Sequence, residues 1–253
     1  MKNLFVTIVM LLSLFVLSAG NTLAFDATAE KYFDSGQYEE CIKRVESLPD
    51  FKKDMSNVML IAFSNLQMYN FTKQKHFNNE YKAYYDMIVA KSGVDNLRSI
   101  LFFVNSEDKP DVVKAARKLL KEIFNGLYKI EDIVKILPFT SSSDKDVREY
   151  AFTAIERIMD PIRDMVKKGG TMRPIDIQYF TNKEVITTAI DNINISKAKD
   201  ILLLIEEPAI PYLENVQGNE SLKVHEAILK KINERKKKFP DSSWYSATGK
   251  KLD

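Results

Sequence analysis

The chain has very little of what staples small proteins or builds common catalytic centres. Its 253 residues include one cysteine, one tryptophan, two histidines, eight glycines and eight prolines. A single cysteine excludes an internal disulfide, and Cys41 with His76 and His225 leaves almost no soft ligands for a transition metal. Neither histidine stands in a His-Glu-x-x-His spacing, and a helix-surface position accounts for His225 beside Lys223 and Glu226. So few glycines and prolines argue against a turn-rich β fold and for long helices. Net charge is nearly absent too. With 37 basic and 35 acidic side chains the formal charge is +2, which gives no whole-chain case for nucleic-acid binding. A Gly-x-Ser-x-Gly elbow, a phosphate loop and a dinucleotide-binding glycine triplet are also missing. The carboxylate pairs Glu39-Glu40, Asp144 with Asp146, and Glu206-Glu207 read as solvated charge or as partners of helix dipoles. No cofactor, no metal and no catalysis are expected.

One long apolar run exists, from Leu4 to Leu17, interrupted by Thr7 and Ser13. At about 14 residues it is shorter than the roughly 20 needed to span a bilayer as a helix. Lys2 before it and Thr22-Leu23-Ala24 after it give the pattern of a secretory signal over 1–24. Cleavage before Phe25 is the expected outcome, cleavage after Ala19 the alternative, and retention as an anchor a third. Asn21 stands where a lipoprotein signal needs cysteine. Ile201–Ile205 is stopped by Glu206 and Glu207, so no later membrane span is expected. The predicted location is the periplasm or the outside of the cell.

What the chain does have is helical periodicity. At 45% hydrophobic and 28% charged residues it has ample material for a core. Val112, Ala116, Leu120 and Ile123 recur in kind as Val147, Ala151, Ile155 and Ile158, with a weaker copy at Val185, Ala189 and Ile193. Leu222 to Ile232 matches at its Leu229 and Ile232 end. Offsets of four, eight and eleven lie on one helical face, so each copy predicts one buried stripe. Ser143 or Asp144, Asp111 and Asn182 supply the helix starts. The block Asp146-Val147-Arg148-Glu149-Tyr150-Ala151 through Ile158 resembles the second helix of HEAT repeats. Glu207-Pro208-Ala209-Ile210-Pro211-Tyr212-Leu213 resembles that family's proline-bearing first helix. This resemblance covers roughly 107–235.

Nearer the N-terminus, Ala29 to Cys41 resembles the helix–turn–helix of a tetratricopeptide repeat. The resemblance makes Gly36 the turn, Tyr38 a packing residue and Cys41 the small buried position; a free buried cysteine is also what its helical face with Ile42 and Val45 predicts. A second, poorer unit runs from Met59 to Tyr85, with Tyr69-Asn70-Phe71 in its turn. The expected organisation is an all-α superhelix: a tetratricopeptide-like portion over 25–105, HEAT-like helices over 106–240, and a flexible polar tail over 241–253.

Two groups of residues are candidates for binding. The Tyr- and Phe-rich stretch, above all Tyr69, Phe77, Tyr81 and Tyr84, fits either packing between helices or an aromatic contact face. Lys230, Lys231, Arg235, Lys236, Lys237 and Lys238 form a basic surface that fits a helix C-terminus or an anionic membrane surface. Asn70, Asn194 and Asn219 stand in glycosylation-acceptor triplets. Stacked helix pairs present long surfaces to protein or peptide partners, so the function read from sequence is a non-enzymatic binding or scaffold protein. An envelope-polymer or membrane-surface binder, or the scaffold of a cell-wall hydrolase, are the alternatives.

Overall fold

The computed structural model describes residues 25–91 and 97–246. All of their regular structure is helical, apart from isolated bridges joining Thr171 to Ser246 and Ser243 to Ser246. The expected signal segment, 1–24, lies outside the described residues, as do 247–253. No helix among the described residues is long and apolar enough to cross a membrane. The chain divides into two compact units between Ala116 and Arg117, later than the expected boundary at 105/106.

The first unit contains α1 (Ala27–Asp34), α2 (Tyr38–Glu46), α3 (Met55–Thr72), α4 (Lys75–Lys91) and α5 (Leu97–Val104). Asp26 starts α1: its Oδ1 accepts from the Ala29 amide at 2.9 Å, and its carboxylate takes Arg44 of α2 at 3.0 and 2.7 Å. The bonded Arg44 holds the Asp26 carboxyl below its ordinary range. Gly36 turns the chain with φ +76°, a conformation that L side chains resist. Tyr38, Cys41 and Val45 then form the buried stripe of α2.

α3 is the centre of this unit, packed by α1, α2, α4 and α5. Every residue from Met55 to Asn65 is buried, so α3 has no solvent face along most of its length. Several of its polar side chains find partners close by. The Ser56 hydroxyl meets that of Ser99 at 2.7 Å, and Asn65 donates to the Ile61 carbonyl at 2.9 Å. Asn57 accepts from the Asp26 amide at 2.9 Å and donates to Asp54 at 2.8 Å. The chain reverses at Lys73, with φ 58°, rather than at Tyr69–Phe71 as the repeat pattern predicted. Those three residues are the last turn of α3.

Helix α6 (Pro110–Gly126) carries the unit boundary. The second unit continues with α7 (Ile133–Ile136), α8 (Lys145–Lys167), α9 (Pro174–Phe180), α10 (Lys183–Asp191), α11 (Ser196–Ile205), α12 (Ile210–Leu213) and α13 (Asn219–Lys238). α8 packs on α7 and α11, α11 on α10 and α13, and α12 on α13. Asp144 caps α8 by accepting from the Val147 amide at 3.0 Å, and its carboxylate also takes Arg117. Asn182 caps α10.

The stripes lie where periodicity put them for Val112–Ile123 and Val147–Ile158, all buried, and for Val185 and Ala189. Ile193 is half-buried. The last copy is shifted. On α13 the buried residues are Ser221, Val224, Ile228 and Ile232, while Leu222 and Leu229 face solvent. A small hydroxyl residue opens the stripe and its partners are carbonyls: Ser221 donates to Gly218 at 2.8 Å. The expected flexible tail is also docked where it is described. Ser242 and Ser246 are buried, and the Tyr245 carbonyl accepts from the Met172 amide at 3.0 Å.

Candidate functional site

The aromatic candidates are spread along the α3–α4 hairpin, Tyr69 and Phe77 beside its turn and Tyr81 and Tyr84 further along α4. Phe71, in the last turn of α3, is 71% exposed, yet its ring is stacked on buried Tyr38 at 6.0 Å and 24°. Tyr69, one residue pair earlier, is half-buried with the Lys73 ammonium 5.8 Å from its ring centre. Phe77 is half-buried and its ring centre lies 3.9 Å from that of His76. Tyr81 is half-buried and contacts Tyr85 at 5.7 Å. Tyr84 differs from the rest. It is only 7% exposed, it packs near Phe51, and burial pushes its phenol up. Its ring serves the core and has little surface to offer a partner. Phe71, which the sequence reading placed in a turn and not among the four binding candidates, is the most exposed of these aromatics.

The basic run at the end of α13 splits into two faces. Lys231, Arg235 and Lys238, spaced four and three apart, lie on one side of the helix and line a cleft of about 380 Å³. Lys230, Lys236 and Lys237 are exposed and do not line it. Across the cleft α8 contributes Arg163 and Lys167, again four apart. At its base is Glu206, buried after the end of α11. Its amide closes the helix by donating to the Leu202 carbonyl at 3.0 Å, and its own backbone has φ 64° and ψ −122°. That is a strained place for a residue with a side chain.

The strained turn aims the Glu206 carboxylate between two arginines. Arg163 Nε donates to Glu206 Oε1 at 3.1 Å, and Arg235 Nη1 donates to Glu206 Oε2. Arg235 Nη2 donates to Glu207 at 2.7 Å. Arg163, 2% exposed, also donates to the Trp244 carbonyl of the docked C-terminal segment. Loss of hydration pulls the Arg163 guanidinium down and the Glu206 charge opposes that pull. Glu206, read as solvated from sequence, is therefore the buried hub of an ion network. The sequence held one signal for it. Arg163 falls in phase with the buried residues Ala151, Ile155, Met159 and Val166, a charge on an apolar stripe.

The mouth of the cleft carries lysines. Lys167 pairs with Asp164 at 2.8 Å and Lys231 donates to the Leu203 carbonyl at 3.2 Å. Lost hydration lowers the Lys231 ammonium, with the Glu206 charge opposing. Lys238 and Glu234 make no hydrogen bond or ion pair among the described residues. Val166 and Phe239 complete the walls. His225 sits on α13 half-buried, its Nε2 unpartnered, and no group of three metal-ligating side chains occurs among the described residues. In comparisons with protein-family models, curated proteins and solved structures, nothing matches this chain.

Proposed function

We propose that the chain is an exported, non-enzymatic binding protein of helical-repeat type that holds a protein or peptide partner. The observation that carries the reading is the run of aromatics along the α3–α4 hairpin. Phe71 is exposed yet fixed against buried Tyr38, and half-buried Tyr69, Phe77 and Tyr81 belong to the same two helices. Large rings held at low entropy cost are the usual anchors of protein contacts. The repeat character is supported by the Gly36 turn with buried Tyr38 and Cys41, in the manner of a tetratricopeptide repeat. The buried Val147–Ala151–Ile155–Ile158 stripe supports a HEAT-like second unit. Export rests on the apolar run Leu4–Leu17 and the Ala24 cleavage pattern.

The test is capture of partners from a native envelope fraction, followed by reconstitution with the purified partner. Phe71→Ser with Phe77→Ser, which removes rings without opening the core, should lower affinity by about tenfold or more. Equal affinity with the fold intact, or turnover of a cell-wall fragment by the purified chain, defeats the proposal. Sequencing of the exported protein should begin at Phe25; intact Met1 in a membrane pellet contradicts the processing.

A further inference from the structure

We propose that the cleft between α8 and α13 in the second unit binds a phosphate group carried by a partly apolar molecule. The inference stands on residues other than the aromatic ones and does not depend on the proposal above. Cations from two helices converge on one cavity: Arg163 and Lys167 from α8, and Lys231, Arg235 and Lys238 from α13. Only Glu206 and Glu234 line it with negative charge. The two guanidinium groups are already engaged, Arg163 with Glu206 and the Trp244 carbonyl, Arg235 with Glu206 and Glu207, although the buried Arg235 Nε has no hydrogen-bond partner among the described residues.

What remains for a ligand is chiefly ammonium groups, beside the one unpartnered guanidinium nitrogen of Arg235. Lys231 holds one carbonyl and Lys238 makes no such contact among the described residues. An ammonium is a rotatable point charge that meets tetrahedral phosphate oxygens from several directions, whereas a planar carboxylate is better served by arginine. Lys231 is exposed enough for a ligand to reach it, the partial loss of hydration that lowers its pKa fits a cation without a full anionic partner, and an incoming anion supplies that partner. The cavity volume suits a small ligand or a headgroup. Val166 and partly exposed Phe239 form an apolar wall beside the lysines, which selects a phosphate with hydrocarbon next to it. A soluble phosphate ester and a phospholipid headgroup share that chemistry.

The experiment uses the full chain and three probes: phenyl phosphate, benzoate, and phosphatidylcholine vesicles with or without phosphatidylglycerol. Lys231→Gln with Lys238→Gln is compared with Lys236→Gln with Lys237→Gln, an equal charge change outside the cleft lining. Saturable binding of phenyl phosphate, weakened about tenfold or more by the first pair and little by the second, supports a soluble ester. Vesicle binding that requires phosphatidylglycerol and shows the same split supports a headgroup. Lys238→Ala alone removes an exposed side chain without a partner and should weaken binding severalfold, so the test survives if a double variant misfolds. The proposal is overturned if no phosphate probe binds, if both pairs weaken binding equally, or if benzoate binds as well as phenyl phosphate.

Discussion

Helix α3 and the Arg163–Glu206–Arg235 network solve the same problem in opposite ways. Both bury polar side chains. α3 does so with neutral groups whose partners lie within the unit, such as Ser56 with Ser99 and Asn65 with the Ile61 carbonyl. The second unit instead buries ions, and their partners come from α8, the Glu206 turn, α13 and the segment around Trp244. A neutral pair lost from a core costs about one hydrogen bond, while a buried ion that loses its partner keeps the whole desolvation penalty. The first arrangement tolerates change; the second fixes four stretches of chain to one another.

The largest break in that contrast should come from Glu206→Ala. It leaves buried Arg163 without its carboxylate and half-buried Arg235 with Glu207 alone, and urea denaturation should show a loss of about 3–5 kcal/mol. Deleting Asp241–Asp253 removes the Trp244 and Tyr245 carbonyls and two buried serines, so Arg163 and the Met172 amide lose acceptors. A loss of about 2 kcal/mol is expected, against near-zero for a free tail. In the first unit Ser56→Ala strands Ser99 and should cost about 1–2 kcal/mol, and Ser56→Ala with Ser99→Ala should cost little more, because no unpaired group remains. A double-mutant cycle reads this directly.

The smallest effect concerns Cys41. Burial pushes its thiol up to about 11, from an ordinary value of 9.0. Because the folded pKa is the higher one, its contribution to stability is complete below the unfolded value and fades as pH rises through 9 toward 11. Thiol labelling at neutral pH should therefore follow unfolding rather than local chemistry; fast labelling of the native chain would show that α2 opens.

Periodicity carried the sequence reading where apolar residues did the packing, as in Val147, Ala151, Ile155 and Ile158. It failed where small polar residues did. Ser221 opens the α13 stripe, and Ser242 and Ser246 bury themselves in a segment that composition alone makes a tail. A count of apolar residues cannot register a buried serine, whether its hydroxyl meets a local carbonyl, as in Ser221 with Gly218, or a residue 75 positions away, as in Ser246 with Thr171. The basic run was visible as charge, but which lysines share a cleft depends on helical phase and on Arg163 and Lys167 arriving from another helix. Phe71 was visible as an aromatic, whereas its exposure depends on α3 continuing past it to Thr72.

The docking of Trp244 against Arg163 sets an order of events. Those residues are 81 apart in sequence, and the carbonyl that completes the Arg163 shell belongs to one of the last described residues of the chain. While the chain is being made from its N-terminus, α8 is complete before Glu206 and Trp244, the partners of Arg163, have been added. The first unit, whose α3 contacts close within residues 25–111, has a shorter dependence. The second unit thus carries a completion check in its covalent order, since a chain cut short before Trp244 holds an arginine that must stay wet or remain half-satisfied.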